Sequence, residues 1–449
     1  MSKQRIQLSD HFTYSRLLRF VLPCIGTMLF TSIYGIVDGL CVSNFVGKTA
    51  FAAVNLIMPL PMLLGTIGFM LGTGGSAIVG ITLGEGDQKK ADRYFTLFLL
   101  AALISVSVLA VLGIVFLRPI AVLLGAKGEL LDYAVRYGRI LMVSLPTFAL
   151  QNMFQSFFVT AEKPHLGFWF TVGAGCTNMV LDVLMVGIWG WGVEGAAIAT
   201  FISQLVGGVL PVFYFIDRSN SSRLHLCKTS FYSKVLRDAC INGSSELMTN
   251  LSMSLVNILY NFQLLRLAGE NGVAAYGVIM YAAFLFVAVF VGYAVGSAPI
   301  VSFHYGARNH AEVHNLYRKS LRLIAVVAVT LTLASMFIIP CVACVFVGYD
   351  AELLALTSRA FRLYALSFLI MGFNVYASSF FTALGDGVTS ALISFLRTLA
   401  FQVIAILLLP LLLGIDGIWL AVTAAELAAL AVSAAMLLTK DKVFHYRKA

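Results

Sequence analysis

Long apolar segments, separated by short polar ones, follow one another along the whole chain. Each apolar segment has at least the roughly 20 residues that a helix needs to cross the hydrocarbon core of a bilayer. The pattern therefore predicts twelve transmembrane helices, and the second and eighth segments are long enough to require tilt or an extension beyond the lipid. The predicted segments are 17–43, 51–83, 94–116, 134–161, 165–189, 192–215, 239–265, 273–303, 320–346, 357–384, 388–413 and 417–438.

The composition excludes a soluble protein. Of the 449 residues, 60% are hydrophobic and 11% are charged, whereas a soluble globular domain has about 25% charged residues. The longest polar connection, residues 216–238, is too short for a soluble domain, and the chain has no G-x-x-x-x-G-K-[ST] phosphate loop. We therefore expect no ATP-driven motor. We interpret the net charge of +9 as loop residues that set membrane orientation, not as a nucleic-acid surface.

Lys and Arg residues are divided unequally between the two sets of loops. Of these 30 residues, 21 lie in or near the terminal segments and the loops after even-numbered spans, 8 lie in or near the loops after odd-numbered spans, and one, Arg397, lies deep within a span. Cytoplasmic loops are enriched in Lys and Arg. We therefore expect both termini in the cytoplasm and a multi-pass protein of a bacterial-type inner membrane.

The chain repeats itself with an offset of about 222 residues. Each half has an even number of spans, so both halves enter the membrane in the same direction and a pseudo-two-fold axis lies along the membrane normal. This predicts an all-α protein with two six-helix lobes, residues 1–220 and 239–449, and a cytoplasmic linker at 221–238. Secondary transporters have this plan, with a binding site between the halves. The matching blocks are GSAIVGITLGEGD (75–87) with GSAPIVSFHYGARN (296–309), AAVNLIM (52–58) with AAYGVIM (274–280), QSFFVTA (155–161) with SSFFTAL (378–384), and GVEGAAIA (192–199) with GIDGIWLA (414–421).

Two acidic residues lie within spans of the first lobe and have no acidic counterpart in the second. Asp38 is in the first span and Asp182 in the fifth, and an ionisable residue within a span is a candidate for function. Tyr34 is on the same helix face as Asp38 and is a candidate for a substrate or proton site. Asn178, one turn from Asp182, and Thr200 on the sixth span lie at similar depth to the two acids. These groups could bind Na⁺, the acids could carry protons, or all of them could simply hydrogen-bond to one another.

The seventh span has a second set of polar residues, whose spacing predicts one continuous helix face. Hydrogen bonds between helices could explain the Asn residues, but they explain an acid less well. We therefore interpret Glu246 as a substrate or proton site, with Asn250 and Asn257 beside it. The members of this set are Asn242, Glu246, Asn250, Ser254, Asn257 and Asn261.

Four further polar residues within spans are weaker candidates. Gln151 on the fourth span and Asn374 on the tenth could contact a substrate or could serve helix packing. Glu426 in the last span aligns with Gln204 in the repeat, which favours packing for both. Arg397 could balance an acid or extend towards the membrane surface.

Several segments resemble the multidrug and toxic compound extrusion (MATE) family of transporters. The resemblance covers nearly the whole chain and includes the twelve spans and the two-lobe repeat. It implies export of organic, often cationic, compounds in exchange for Na⁺ or H⁺ by alternating access. The segments are the opening LPCIGTMLFTSIYGIVDGLCVSNFVGKTAFAAVNLIMPL, GSAPIVSFHYGARN, FFTALGD, the span with Arg397, and GIDGIW.

The resemblance also implies roles for individual residues. Glu246 matches an acid that some branches of the family have on the seventh span, and a bend at a proline of the first span would map to Pro23. The chain departs from the family at the tenth span, where branches that couple through the second lobe carry an acid but this chain has Asn374. This departure favours ion coupling in the first lobe. The residues that match the family's cation pocket there are Asp38, Asn178, Asp182 and Thr200.

Two other classes of function are less favoured. A related flippase for a lipid-linked saccharide or lipid would share the two-lobe plan but needs Lys or Arg inside the spans to hold phosphates, and only Arg397 is central in a span. An intramembrane enzyme needs a nucleophile with its base, or metal ligands, and no H-E-x-x-H motif is present. We therefore expect a monomeric transporter of small organic substrates, not an enzyme, with Na⁺ or H⁺ as coupling ion and no cofactor.

Overall fold

Helices and their connecting segments make up the whole described part of this protein, which contains no strand. A computed structural model describes residues 6–46, 48–348 and 350–447. The apolar segments form helices because a helix bonds its own backbone N–H and C=O groups, which have no water partners within lipid. The predicted all-α class is therefore confirmed.

The first lobe consists of eight helices, α1 to α8, and two π-helical turns. The fifth span continues from α6 into the turn Val183–Ile188. In the sixth span, the turn Leu205–Val209 lies between α7 and α8. The helices are α1 (Tyr14–Val46), α2 (Lys48–Ile57), α3 (Pro59–Gly84), α4 (Gln88–Leu123), α5 (Gly128–Thr160), α6 (Pro164–Asp182), α7 (Gly192–Gln204) and α8 (Leu210–Ile216).

The second lobe also consists of eight helices, α9 to α16, with a π-helical turn, Leu396–Ala400, between α13 and α14 in the eleventh span. Its first helix is 74 residues long and is interrupted at Gly269, whose φ of 62° and ψ of −152° are not helical. The helices are α9 (Ser233–Gly306), α10 (His310–Val347), α11 (Ala351–Ala365), α12 (Phe368–Ala383), α13 (Gly387–Phe395), α14 (Phe401–Leu413), α15 (Ile415–Thr439) and α16 (Asp441–Phe444).

These helices account for twelve spans. Within the described ranges, nine helices are long and apolar enough to cross a membrane, and α11 with α12, bent by 46°, makes a tenth span. One of the nine, α9, contains both the seventh and the eighth span, which meet near Gly269. The 33-residue α5 is the fourth span. The predicted twelve-span, two-lobe architecture is therefore confirmed.

The second predicted segment, residues 51–83, is not one tilted helix. Its extra length belongs to the separate ten-residue α2, and α3 begins immediately after Met58 with Pro59 and includes Pro61. Pro59 and Pro61 have no N–H group, so the backbone hydrogen bonds that they would donate are absent, while Met58 between the two helices keeps helical angles (φ −55°, ψ −37°). Of the two alternatives, tilt and an extension, the structure therefore places the extra length in a short separate helix.

Equivalent interactions in the two lobes reproduce the sequence repeat. Asp87 caps the first turn of α4, and Asn309 caps the first turn of α10. The side-chain oxygen of each accepts a hydrogen bond from the backbone N–H three residues later, at 3.0 and 3.1 Å. Such caps satisfy N–H groups that have no partner within the helix. Each lobe also has one Arg–carboxylate pair at an equivalent position. The two pairs are Arg136–Glu194 and Arg359–Asp416.

Glycines allow α3 of the first lobe to cross α9 of the second at very short range. A Cβ atom at Gly74 would lie 2.5 Å from the backbone N of Gly243, and one at Gly243 would lie 2.7 Å from the carbonyl carbon of Met70. Gly84 and Gly306 form a second contact of this kind further along the same helices. Small residues permit such close backbone packing within membranes. The lobes are therefore in tight contact along this crossing.

The segment before α1 connects the two lobes at the end of the molecule where α1 begins. In the first lobe, Glu162 accepts a hydrogen bond from the backbone N–H of Leu8 at 3.0 Å. In the second lobe, Glu312 accepts one from the N–H of Phe12 at 2.9 Å. The side chains of Leu8 and Phe12 are fully buried. This segment, together with the glycine crossing, closes the α1 end of the molecule.

Asp386 stabilises the second lobe through a cap and an ion pair. It accepts a hydrogen bond from the backbone N–H of Thr389 at 3.2 Å and pairs with Lys440 at 2.8 Å. Burial raises the pKa of Asp386, but the hydrogen bonds from Lys440 and Thr389 lower it more, so its pKa lies below the usual 3.8.

We expect Asp386→Ala to destabilise the protein by about 1 kcal/mol at neutral pH, because the helix loses its cap. Since the folded-state pKa is lowered, the contribution of the ionised Asp386 is complete above the usual pKa and disappears as the pH falls through the folded-state value. Thermal unfolding in detergent at pH 7 and at pH 3 measures this. Asp386→Asn keeps a capping oxygen but carries no charge. If each variant differs from the native protein in stability by the same amount at both pH values, the assignment is contradicted.

Candidate functional site

Asp38 and Asp182 are brought together between α1 and the fifth span. Their carboxyl groups lie within interaction distance of each other. Asp182 is fully buried, and neither of its oxygens has a hydrogen-bond partner among the described residues. No Lys or Arg of the described chain forms an ion pair with either acid. Two adjacent carboxylates repel each other unless a cation or a proton lies between them, so this pair favours cation or proton uptake.

Two tyrosine side chains interact electrostatically with the two acids. Tyr34, one turn before Asp38 on α1, interacts electrostatically with it. Tyr137 on α5 is 1% exposed and interacts with both carboxyl groups. The spacing along α1 indicated Tyr34, whereas Tyr137 lies on a distant span where nothing in the sequence connects it to the acids.

The two remaining members of the predicted pocket are placed differently. Asn178 lies one turn before Asp182 on α6, and its buried Oδ1 has no hydrogen-bond partner among the described residues. This oxygen is therefore available to a ligand. Thr200 is half-buried on α7, and no hydrogen bond joins its hydroxyl to Asp38, Asp182 or Asn178 within the described ranges. Its participation stays a prediction.

The helix that carries Asp38 has a locally weakened backbone around Pro23. The proline lies inside α1, where it removes one backbone hydrogen bond. The Thr27 hydroxyl donates to the carbonyl of Pro23 at 2.9 Å, and Thr31 donates to the carbonyl of Thr27 at 2.8 Å. Such bonds from a hydroxyl to the preceding turn favour bending. The predicted hinge at Pro23 therefore has a physical basis, although its movement stays a prediction.

A cavity of about 320 Å³ lies in the second lobe and reaches the first-lobe helices α3 and α5. Its volume is within the range of sites for small organic ligands. Glu246 lines it, and no described residue hydrogen-bonds to the Glu246 carboxylate. The first lobe contributes hydroxyl-bearing side chains, and the second contributes mostly apolar ones. This cavity is separate from the acids of the first lobe.

Aromatic rings form one side of this cavity. Tyr260 and Tyr276 stack with ring centroids 4.9 Å apart and planes inclined by 9°. The Tyr276 hydroxyl donates to Oδ1 of Asn257 at 2.7 Å, and the Tyr260 hydroxyl donates to the carbonyl of Ile418 at 3.3 Å. Both hydroxyls therefore already donate hydrogen bonds to oxygens of the protein. The ring faces are suited to a large apolar or cationic ligand.

A buried ion pair that the sequence did not reveal lies at another side of the cavity. Nε of Arg397 donates to Oε1 of Glu426 at 2.8 Å, and Nδ2 of Asn374 donates to Oε2 of Glu426 at 2.7 Å. Glu426 is fully buried. Arg397 lies in the π-helical turn of the eleventh span, and such turns often occur at functional sites. Of the two roles considered for Arg397, the structure supports the balancing of an acid.

The predicted polar face of the seventh span is not continuous. Asn242 is buried and donates to the carbonyl of Thr382 at 2.8 Å, whereas Ser254 and Asn261 are exposed. A step of four residues rotates a helix by about 40° beyond a full turn. The steps of four therefore spread the set over an arc of about 120°, so its members do not share one environment.

Three other residues predicted to contact a substrate interact with other parts of the protein instead. Nδ2 of Asn250 donates to the backbone carbonyl four residues earlier at 2.9 Å. Gln151 packs in the first lobe against Gly207, where a Cβ atom would lie 2.7 Å from the Gln151 Cδ. Asn374 binds Glu426 and does not itself line the cavity. The structure therefore does not bring these three together with Glu246 around one ligand.

Comparisons with known proteins agree with this architecture. The MatE family model matches the chain twice, over residues 23–184 and 247–408. The multidrug export protein MepA of Staphylococcus saprophyticus is 21% identical over 434 residues, covering 96% of this chain and 95% of the relative. MepA of Staphylococcus aureus is 22% identical over 442 residues, with the same coverage.

Solved structures share the fold at low sequence identity. A MATE crystal structure in complex with MaL6 superposes with a TM-score of 0.92 at 22% identity, over 100% of both chains. The outward-facing conformation of a multidrug resistance MATE family transporter superposes with a TM-score of 0.91 at 23% identity, also over 100% of both chains. The two matches to the family model together cover more than half of the chain. The chain therefore belongs to the MatE (MATE) family, and it is a membrane transporter, not an enzyme.

Proposed function

We propose that this transporter exports monovalent organic cations in exchange for Na⁺ or H⁺ and that ion and cargo bind in different lobes. The observation that carries the proposal is the direct juxtaposition of Asp38 and Asp182, without a basic partner among the described residues. Such a pair is stabilised by a cation or a proton. The neutral oxygen of Asn178 is a suitable additional ligand. We propose Thr200 as a fourth ligand.

The second-lobe cavity supports a cationic cargo. Its ionisable groups are Glu246, Glu426 and Arg397, so one negative charge remains uncompensated when all are ionised. The stacked tyrosines of this cavity attract a cation to their ring faces. The relatives are named multidrug export proteins, which supports a cavity that accepts varied organic compounds. The cargo is therefore proposed to be an amphipathic monocation held near Glu246.

The closed α1 end supports an outward-open resting conformation. The loops on this side carry most Lys and Arg residues, which supports a cytoplasmic location for the α1 end and both termini. The two lobes, residues 1–220 and 239–449 joined by 221–238, would exchange access by rocking about their interface. Binding of the ion between Asp38 and Asp182 would repack α1 at its Pro23 hinge and promote cargo release. One positive charge moving inward across 100 mV contributes about 2.3 kcal/mol.

The flippase alternative has less support. Its phosphate-bearing cargo would need a basic group at the cavity, and Arg397, the Lys or Arg that lines it among the described residues, is bonded to a buried carboxylate. An uncompensated negative charge in the cavity would repel phosphate. A monomer that works without ATP is the simplest transporter consistent with the proposal, because both lobes come from one chain.

Transport by purified protein in proteoliposomes tests the proposal. Ethidium, a fluorescent monocation, is placed on one side, and Na⁺ or H⁺ gradients are imposed separately at a clamped membrane potential. We expect ethidium movement against its gradient with one of the two ions. Movement that responds to neither ion would contradict antiport.

We expect Glu246→Gln to weaken the binding of tetraphenylphosphonium, a hydrophobic monocation, at least about tenfold. A carboxylate close to a cation in a low-dielectric site stabilises it by the equivalent of about 1–3 pK units. Isothermal titration calorimetry on the detergent-purified protein measures the affinity. Glu270→Gln, at an exposed acid on the same helix α9, is the matched control. Equal affinities for Glu246→Gln and this control would remove Glu246 from the cargo site.

A further inference from the structure

The guanidinium of Arg397 is only partly bound by the protein. Its Nε bonds to Glu426 at 2.8 Å, while neither terminal nitrogen hydrogen-bonds to a described residue. The side chain is 12% exposed, and its partner carboxylate is fully buried. Arg397 lines the same cavity as Glu246. One edge of the guanidinium is thus anchored, and the other is presented to the cavity.

Arg397 also interacts electrostatically with Glu246. The positive charge of Arg397 therefore acts on two acids that line the cavity, of which only Glu426 has a direct hydrogen bond with it. Glu246 is therefore partly neutralised by a cation that belongs to the protein. Any cationic cargo that approaches Glu246 meets this positive charge as well, and like charges repel in a low-dielectric cavity.

The first lobe lacks this arrangement. With the repeat offset, Glu426 corresponds to Gln204, Asn374 to Asn152 and Arg397 to Gly175. A Cβ atom at Gly175 would lie 2.5 Å from the ring of Phe30, so that position cannot hold a long side chain. The charged group is therefore a property of the second lobe alone, and the shared fold does not require it.

We propose that Arg397 is an internal counter-cation that competes with cationic cargo for Glu246 and thereby limits how tightly the cargo binds. This inference rests on the proposed function, because it assumes that Glu246 contacts the cargo. A transporter must release what it binds, and affinity differences are expressed mainly in the dissociation rate. Glu426 and Asn374 act as positioning residues that hold the guanidinium at the required place.

A combined variant and a matched control separate this role from a purely structural ion pair. Arg397→Gln alone is unsuitable, because it leaves Glu426 buried without its partner and such a change strongly destabilises proteins. The combined variant Arg397→Gln with Glu426→Gln removes the pair while it keeps the net charge of the cavity. The matched control is Arg359→Gln with Asp416→Asn, which removes an Arg–carboxylate pair of the same lobe that does not line the cavity.

The affinity of each purified variant for tetraphenylphosphonium is measured by calorimetry in potassium-free buffer. Tetraphenylborate, an anion of the same shape, is titrated in parallel. In the combined variant we expect tetraphenylphosphonium to bind about tenfold more tightly, because a neighbouring opposite charge shifts such equilibria by at least about one pK unit. Tetraphenylborate should bind less tightly, and the control pair should change neither affinity.

A third substitution tests whether the effect passes through Glu246. When Glu246→Gln is added to the combined variant, the gain in tetraphenylphosphonium affinity should disappear. A gain that persists, or no gain in the combined variant although Glu246→Gln weakens binding, would overturn the inference while leaving the proposed function intact. If Glu246→Gln leaves the binding of the native protein unchanged, the proposed cargo site itself is wrong.

Discussion

Asp38→Asn and Asp182→Asn should each abolish ion-driven ethidium transport, with at least about a hundredfold loss of rate. The two carboxyl groups adjoin each other in a buried site, so each is needed to bind a cation or to retain a proton that the other cannot hold alone. An amide keeps the size of the side chain but carries no charge, so the ion gradient would no longer be coupled to cargo movement. Initial rates of ethidium movement in proteoliposomes measure the loss.

Binding measurements separate lost coupling from lost folding. Both variants should still bind tetraphenylphosphonium, because the cavity with Glu246 is in the other lobe. Glu194→Gln is the matched control, since Glu194 is a first-lobe acid whose pair with Arg136 is largely exposed. Undiminished gradient-driven transport in both Asp38→Asn and Asp182→Asn would refute the assignment of the coupling site to the first lobe.

Gly243→Leu should shift the protein away from the conformation described here. A Cβ atom at this position would lie 2.7 Å from the carbonyl carbon of Met70, a backbone atom that cannot turn aside. Overpacking of this kind costs about 1–3 kcal/mol, and every 1.4 kcal/mol changes a conformational equilibrium about tenfold. Because the contact joins α3 to α9 across the lobes, separation of the lobes at the α1 end relieves the strain.

Spin labels at positions 89 and 318, on α4 and α10 near the α1 end, measure this separation by electron–electron resonance in a cysteine-free background. The distance distribution should move to longer values in Gly243→Leu. Gly277→Leu is the control on the same helix, since no heavy atom lies within 4 Å of a Cβ there. An unchanged distribution in a folded Gly243→Leu protein would show that this crossing does not hold the lobes together.

Much of the fold follows from the order of the amino acids. The length of the apolar segments determines the number of spans, because only a helix can satisfy its backbone within lipid. The repeat determines that the two lobes run in the same direction. Asp38 and Asp182 are identifiable because each is an acid that the other lobe replaces with a different residue, which is a signal that one sequence carries by itself.

Periodicity is less reliable over long distances. Steps of four residues accumulate rotation, so the set on the seventh span that begins with Asn242 ends exposed at Asn261. The lengths of the apolar segments also did not reveal that the second span is interrupted before Pro59. In the first case the ideal turn of about 3.6 residues, and in the second a local interruption of the helix, changed which side chains share a surface.

What the sequence determined by itself is the membrane class, the two-lobe plan and the acids most in need of a partner. Only the tertiary structure decided which partners they have. Arg397 and Glu426 are on different spans, and nothing in their spacing indicates that they meet at 2.8 Å. For Asp38 and Asp182 the sequence indicated a similar depth, and the packing of the helices brought the two carboxyl groups together. Spacing along one helix is a local property, whereas the approach of two helices depends on the packing of every residue between them.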